Sequence, residues 1–110
     1  MDKQLALSAF AALSQSTRLD VVRLLIKAGS DGMFAGEIGE ALDVRQNTMS
    51  ANLSILTRAG LIRSERQGRA VRYFADMNGM RGLLGFLMED CCGGRPELCQ
   101  PLLNEISCPC

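Results

Sequence analysis

The sequence predicts a mainly α-helical protein with one small β-hairpin that follows a helix-turn-helix. Apolar residues recur three and four positions apart in several segments, which is the spacing of amphipathic helices. Two short runs rich in β-branched and aromatic residues flank a glycine, a pattern typical of a hairpin. The chain has 110 residues, 47% of them hydrophobic, and a formal net charge of zero. These values favour one small globular domain.

Two helices are predicted before residue 30. The first has apolar residues at helical spacing: Leu5, Ala9, Phe10, Ala12 and Leu13. The second has an apolar face that we expect to be buried: Leu19, Val22, Leu25 and Ile26. Ser16 or Thr17 is the expected N-cap of this second helix, and Gly29 is its expected end.

A helix-turn-helix is predicted next. The stretch "MFAGEIGEALDV" forms a short helix with Ile38 and Leu42 inward, followed by a turn at Asp43-Val44. The stretch "QNTMSANLSILTRAG" then forms a second helix, which Gly60 ends. Its buried face is predicted to contain Met49, Leu53 and Leu56.

The hairpin and a last long helix complete the domain. "LIRSER" and "RAVRYF" are the two predicted strands, with Gln67-Gly68 between them. A helix from about Asn78 to Asp90 follows, and its apolar stripe indicates either core or a subunit interface. That stripe contains Met80, Leu83, Leu84, Leu87 and Met88.

Charge is unevenly distributed along the chain. Residues 44–73 contain six arginines and one acidic residue, a net charge of plus five, so the remainder carries minus five. The arginines are Arg45, Arg58, Arg63, Arg66, Arg69 and Arg72, and the acid is Glu65. Such a segment indicates a surface for a polyanion, and the alternative is a solvated arginine-bearing face.

The second helix of the helix-turn-helix has a polar outer face suited to DNA. Asparagine and glutamine pair bidentately with adenine, and serine reaches bases or phosphates. Arginines near the hairpin tip, as on a wing, suit the DNA backbone or the minor groove. The predicted DNA-binding residues are Gln46, Asn47, Ser50, Ser54, Arg58, Arg66 and Arg69. The alternative is a plain helical bundle with a polar exposed helix.

Three stretches resemble the ArsR/SmtB-type winged-helix repressors along most of residues 5–90: "STRLDVVRLL", "QNTMSANLSILTRAGLI" and "GRAVRYF". Ser50, Leu53, Leu56 and Ala59-Gly60-Leu61 match that family's recognition-helix pattern, and Thr17-Arg18-Leu19 matches its second helix. Asn52 stands where many relatives have histidine.

This resemblance implies a winged helix-turn-helix fold and a homodimer formed by the first and last long helices. Two recognition helices would then read an inverted repeat in operator double-stranded DNA. The residues expected at the dimer interface are Leu5, Ala9, Leu83, Leu84 and Leu87.

All five cysteines lie after residue 90, in "CCGGRPELC" and at Cys108 and Cys110. The sequence therefore divides into residues 1–90, a DNA-binding and dimerisation domain, and residues 91–110, a cysteine-bearing segment for an inducer. Gly93-Gly94 permits a chain reversal, and Pro96 is placed to start a helical turn. That turn would return Cys99 to the adjacent pair Cys91 and Cys92. Three thiols make a trigonal sulfur site, which selects soft ions.

The inducer-binding sites of the resembled family limit which inducers this chain is expected to bind. Many relatives carry a "CxC" pair before the recognition helix, and this chain has neither that pair nor any histidine. Its C-terminal cluster resembles that of arsenic-responsive members with "CC" and a downstream cysteine. Glu89, Asp90 and the negative helix end disfavour thiolates, partly offset by Arg95, whereas arsenite condenses with three thiols to a neutral product.

We therefore predict a repressor that arsenite, As(III), releases from DNA through Cys91, Cys92 and Cys99. Antimonite, Sb(III), copper(I) and an organoarsenical bound by two thiols remain open as ligands. A thiol redox-sensing repressor, switched by a reversible disulfide, is the main alternative function. Cys108 and Cys110 are expected to lie in a disordered tail.

Catalysis and membrane insertion are not expected. The chain has no phosphate-type loop and no histidine or cysteine with a paired base, so we predict that it is not an enzyme. The apolar stretch "LALSAFAALS" is too short to span a bilayer. We expect a cytoplasmic location.

Overall fold

The computed structural model describes residues 1–89 and 96–106, which form six α-helices and a three-stranded antiparallel sheet. The helices are α1 (Lys3–Leu13), α2 (Ser16–Ala28), α3 (Ala35–Leu42), α4 (Gln46–Arg58), α5 (Met77–Leu87) and α6 (Pro96–Ile106). The strands are β1 (Met33–Phe34), β2 (Ile62–Gln67) and β3 (Ala70–Ala75), in the order β1-β3-β2. This architecture confirms the predicted fold class.

Side chains cap three of the helices at their N-termini. Asp2 Oδ1 accepts from the backbone N–H of Leu5 at 2.8 Å, and Asp76 Oδ1 accepts from that of Gly79 at 3.0 Å. The predicted cap of α2 at Ser16 or Thr17 is wrong, because Gln15 caps that helix through a 2.8 Å bond from the N–H of Arg18. Gln15 has an extended backbone, which is the N-cap conformation, whereas Ser16 is already helical.

The first two helices contribute alanine and larger aliphatic side chains to the core. α1 buries three alanines, and α2 buries Val21, Val22 and Leu25. Leu19 and Ile26, which were expected inside, are 45% and 42% exposed. The inward arc of α2 is therefore centred on Val21, Val22 and Leu25. The sequence pattern missed this because α2 has apolar residues on more than half of its circumference.

Helix α4 follows its prediction closely. Met49, Leu53 and Leu56 are buried, and Gly60 has a φ of +78° just after the helix. The N–H of Leu61 donates to the carbonyl of Leu56 at 3.1 Å, and that of Gly60 donates to the carbonyl of Thr57 at 3.0 Å. These two bonds form a Schellman motif, which needs a left-handed residue and so favours glycine.

The hairpin turn lies one residue later than predicted. Gln67 pairs with Ala70, so the two loop residues are Gly68 and Arg69. Gly68 has a φ of +66°, which suits the first position of a type II′ turn. The two-residue strand β1, which was not predicted, pairs with β3 on its other edge.

The last two helices differ from expectation in length. α5 ends at Leu87 rather than near Asp90, and its residue Leu83 is buried. Pro96 begins a helix as predicted, but that helix continues through Pro101 to Ile106. Over the described part of the chain, no helix combines the length and the hydropathy that a membrane crossing requires.

Candidate nucleic-acid interface

A tight turn sets the angle between α3 and α4. Asp43 adopts a left-handed conformation with a φ of +54°, and the N–H of Val44 donates to the carbonyl of Gly39 at 2.9 Å. A Cβ on Gly39 would collide with the side chain of Gln46, so glycine permits this close approach. Gln46, a predicted DNA-binding residue, directs its Nε2 to the carbonyl of Ala35 at 3.4 Å. It therefore also joins the two helices.

The outer face of α4 is a ridge of small and polar side chains. Asn47, Ser50, Ser54 and Arg58 are exposed, as the sequence predicted. Arg58 folds along the helix and donates from Nη2 to Ser54 Oγ at 3.2 Å. Small hydroxyl and amide groups on a protruding helix are suited to reading base edges in a major groove.

Two of the hairpin arginines are available for a ligand. Arg66 and Arg69 are exposed, and within the described residues their side chains form no hydrogen bond or ion pair. Arg69 lies in the turn itself, and Arg66 faces Val71 across the hairpin. Their positive charge is therefore available to a phosphate backbone.

The other two hairpin arginines, Arg63 and Arg72, make contacts that stabilise the hairpin, which is the wing of the fold. Arg63 pairs with Glu65 at 3.0 Å and lies 4.3 Å from the ring centroid of Phe74. Arg72 donates from Nη1 to the carbonyl of Asp31 at 2.8 Å and lies 4.0 Å from the ring centroid of Phe34.

A second hydrogen bond joins the Arg72 side chain to strand β2. Its Nε donates to Gln67 Oε1 at 3.0 Å, close to the tip of the hairpin. Sequence patterns could not predict the contact of Arg72 with Phe34, because Phe34 belongs to β1, which is too short to show a period.

A groove joins the wing to α4. It has a volume of about 360 Å³, and its lining comes from α3, α4 and the sheet. The lining residues are Phe34, Ala35, Gly36, Ser50, Ala70, Val71 and Tyr73. Ser50 thus lies at the border between the helix face and the hairpin.

Asn52 is a buried polar residue of α4 to which the sequence interpretation gave no role. It is 6% exposed, and its Oδ1 accepts from Arg18 Nη1 at 3.4 Å. Arg18 also donates from Nε to the carbonyl of Ala12 at 2.7 Å, so it links α1, α2 and α4. Position 52 lies three residues after Met49 and four before Leu56, and this spacing could have identified it as inward-facing.

The predicted dimer residues fall into two groups. Leu5, Leu84 and Leu87 are 55%, 47% and 58% exposed. Ala9 and Leu83 are buried in the core of the chain itself, at 0% and 3% exposure. The side chains of this second group therefore offer no surface to a second subunit.

The predicted thiol site lies largely outside the described residues. Cys91, Cys92, Cys108 and Cys110 are not among them, and Cys99 is described only as a backbone position in α6. The expected convergence of three thiols stays a prediction.

Comparison with known sequences identifies similar transcriptional regulators. Residues 13–65 match the family described as "Helix-turn-helix domain". The chain is 32% identical over 93 residues to the uncharacterized HTH-type transcriptional regulator YbzH of Bacillus subtilis, covering 74% of this chain and 93% of that protein. It is 35% identical over 69 residues to the putative arsenical resistance operon repressor ArsR of Halobacterium salinarum, covering 63% of this chain and 53% of that protein.

Solved structures show the same fold. An ArsR-like transcriptional regulator from Rhodococcus has a TM-score of 0.69 at 24% identity, covering 97% of this chain and 96% of that one. A homodimeric winged helix-turn-helix DNA-binding domain from Mycobacterium bovis has a TM-score of 0.65 at 23% identity, covering 79% of this chain and 81% of that one. These likenesses establish a winged helix-turn-helix fold, in which α3 and α4 are the helix-turn-helix.

Proposed function

Because the chain belongs to the ArsR family of DNA-binding transcriptional regulators, we propose that it is a homodimeric repressor that trivalent arsenic releases from its operator. The relatives are named as transcriptional regulators, which are not enzymes, and this confirms the prediction that the chain is not an enzyme. The observation that carries the DNA-binding part is the shared surface of α4 and the hairpin, where a polar helix face lies beside two arginines that have no partner among residues 1–89 and 96–106.

On DNA, α4 lies in the major groove and the hairpin lies against the backbone. Asn47 and Ser50, near the start of α4, contact base edges. Arg66 and Arg69 contact phosphates or the minor groove, where they supply affinity with little sequence information.

The proposed dimer forms through α1 and α5. These two helices contact each other within the chain and leave large apolar side chains uncovered. The exposed residues include Leu5, Leu7 and Phe10 on α1, and Leu84 and Leu87 on α5. The similar winged helix-turn-helix domain from Mycobacterium bovis is homodimeric, which favours a dimer here. A two-fold dimer places two α4 helices on an inverted repeat.

The proposed inducer site uses the thiols of Cys91, Cys92 and Cys99. Arsenite, As(OH)₃, condenses with three thiols to form three As–S bonds and release three waters, with no change of oxidation state. The halobacterial relative is named as a putative arsenical resistance operon repressor, which favours this inducer. α5 ends four residues before Cys91, so ordering "CCGGRPELC" around arsenic would act on that helix and on the dimer.

The energetic demand on the inducer is substantial. Moving a repressor from mostly bound to mostly released requires the inducer to favour the released state by about 5.5 kcal/mol. Three arsenic–sulfur bonds can supply this difference, whereas one weak surface contact cannot.

The test measures binding to an operator fragment with the full-length protein. Arsenite should release the DNA, antimonite should act similarly, and zinc should have little effect. Peroxide tests the alternative of a thiol redox sensor, which would release DNA on oxidation and recover with a reductant. Release by peroxide but not by arsenite would establish that alternative instead.

Single cysteine variants test which thiols bind arsenite. C91S, C92S and C99S should each bind the operator normally and fail to respond to arsenite, because a three-sulfur site cannot close with one ligand missing. C108S and C110S are the controls and should respond as the unmodified protein does. A normal response in C99S together with a lost response in C108S would place the site in the tail.

A further inference from the structure

A second cleft lies on the side of α4 away from the hairpin. It has a volume of about 380 Å³ and lies between α1 and the C-terminal half of α4. Two arginines and one serine supply its polar groups, and the remaining lining is small or apolar. The lining residues are Ser8, Ala11, Ala12, Arg18, Ile55, Arg58 and Ala59.

Arg18 brings an uncompensated charge into this cleft. It is half-buried, and both of the hydrogen bonds from its guanidinium go to neutral oxygens, the Ala12 carbonyl and Asn52 Oδ1. In residues 1–89 and 96–106, no carboxylate lies within ion-pair distance of its guanidinium. A partly buried cation usually has an anionic partner, so this one favours an anion from outside the chain.

Arg58 adds a second cation to the same cleft. Its side-chain hydrogen bond also goes to a neutral oxygen, Ser54 Oγ at 3.2 Å. Guanidinium groups present planar donor forks that match phosphate oxygens. The alanine side chains around them leave space for a compact oxyanion rather than a large ligand.

The cleft lies beside the face of α4 that we propose contacts DNA. At 3.6 residues per turn, Ser50 and Ile55 lie about 140° apart around α4, with Asn47, Ser54 and Arg58 between them. Ser50 borders the groove beside the hairpin, and Ile55 lines the cleft. The DNA-facing arc of α4 is therefore flanked by the hairpin on one side and by the arginine cleft on the other.

We propose that this cleft is an oxyanion site for a phosphate group, held by Arg18 and Arg58. One source of the phosphate is the operator backbone on the side of the major groove opposite the hairpin, and this source rests on the proposed function. The other source is free inorganic phosphate. In both cases the bound anion compensates Arg18, which holds α1 and α4 together.

Salt dependence of DNA binding tests the first source. R18M and S8E should each lower the slope of log affinity against log salt by about two, because the proposed dimer loses one phosphate contact in each subunit. R23M, on the exposed face of α2, and Q4E, on α1, are the charge-matched controls and should keep the slope. Ser8 is exposed, so S8E keeps the test valid if R18M does not fold.

Titration with inorganic phosphate at constant ionic strength tests the second source. Backbone amide shifts of Ser8 and Ala59 should saturate in the unmodified protein and in Q4E, and should be absent in S8E. If the amide shifts saturate and S8E leaves the salt slope unchanged, the ligand of the cleft is free inorganic phosphate. A slope that S8E lowers, without saturation by inorganic phosphate, supports the DNA backbone.

If neither the salt slope nor the amide shifts distinguish S8E from Q4E, the cleft is not an oxyanion site. A protein that binds no DNA would contradict the proposed function, and the phosphate titration would still show whether the cleft binds an oxyanion.

Discussion

The arginines within residues 44–73 differ in their contacts, although their sequence positions do not distinguish them. Arg66 and Arg69 extend from the hairpin without a partner in the described part of the chain, whereas Arg63 and Arg72 lie against aromatic rings. The first pair is available to DNA, and the second pair shapes the wing that presents it. Substitutions should separate these roles.

The first prediction compares Arg69 with Asn47. R69A should weaken binding to all DNA sequences similarly, because a phosphate contact carries little sequence information, and should lower the salt slope by about two, one contact for each subunit of the proposed dimer. N47A should instead change which base is preferred at one operator position, at a cost of about 1–3 kcal/mol. Binding to a set of single-base operator variants at several salt concentrations measures both effects. Identical behaviour of the two variants would contradict the division between wing and helix.

The second prediction concerns Arg72. R72A and R72K should both weaken DNA binding, because lysine keeps the charge but loses the planar fork that joins Asp31 and Gln67. R69K, in contrast, should bind nearly normally, since a phosphate accepts either cation. Affinity measured together with amide exchange of the hairpin checks this prediction. Normal affinity in R72K would show that Arg72 acts through charge alone.

At the scale of the elements, the junction between α4 and α5 is tightly packed. A Cβ on Gly79 would overlap the carbonyl of Gly60, the left-handed residue that ends α4. Gly79 also receives the cap of α5 from Asp76. The end of α4 and the start of α5 therefore meet at two glycines.

The third prediction tests this junction. G79A should lower the free energy of unfolding by about 1–3 kcal/mol, because backbone must move to admit the methyl group. G36A is the control, since a Cβ there meets nothing within 4 Å and alanine favours a helix. It should leave stability unchanged or raise it by up to about 1 kcal/mol. Urea denaturation of both variants without DNA makes the comparison, and equal losses would contradict the packing argument.

At the scale of the whole molecule, the uncovered apolar residues of α1 and α5 are the surface that we propose for dimer formation. A domain of this size has little stability to lose, so burying that surface in a dimer contributes both to stability and to operator affinity. In the sequence, the proposed inducer site follows directly after α5, one of the two helices of the proposed dimer.

The fourth prediction follows from that arrangement. L87E should give a monomer that binds a complete operator far more weakly while its affinity for a single half-site changes little. L19E is the control, because Leu19 is also an exposed leucine but lies on α2. Analytical ultracentrifugation gives the oligomeric state. A monomeric unmodified protein that binds its operator tightly would rule out the proposed dimer.

Periodicity alone was sufficient for α4, the two main strands and the class of the fold. In α4 the residues Met49, Leu53 and Leu56 occupy one narrow stripe, so a single orientation buries all three. In α2 the apolar residues cover a wider arc, so the pattern could not decide that Val21 faces inward while Leu19 and Ile26 stay exposed.

The sequence by itself determined the helix-turn-helix, the hairpin and the polar face of α4, because these depend on side-chain spacing and on glycine at left-handed positions. Only the tertiary structure decided which arginines are free, that Asn52 is buried against Arg18, and that a cleft forms beside α1. These features join residues far apart in the chain, such as Arg72 with Asp31 and Arg18 with Asn52. Local spacing has no information about such contacts, since they arise only when separate elements pack together.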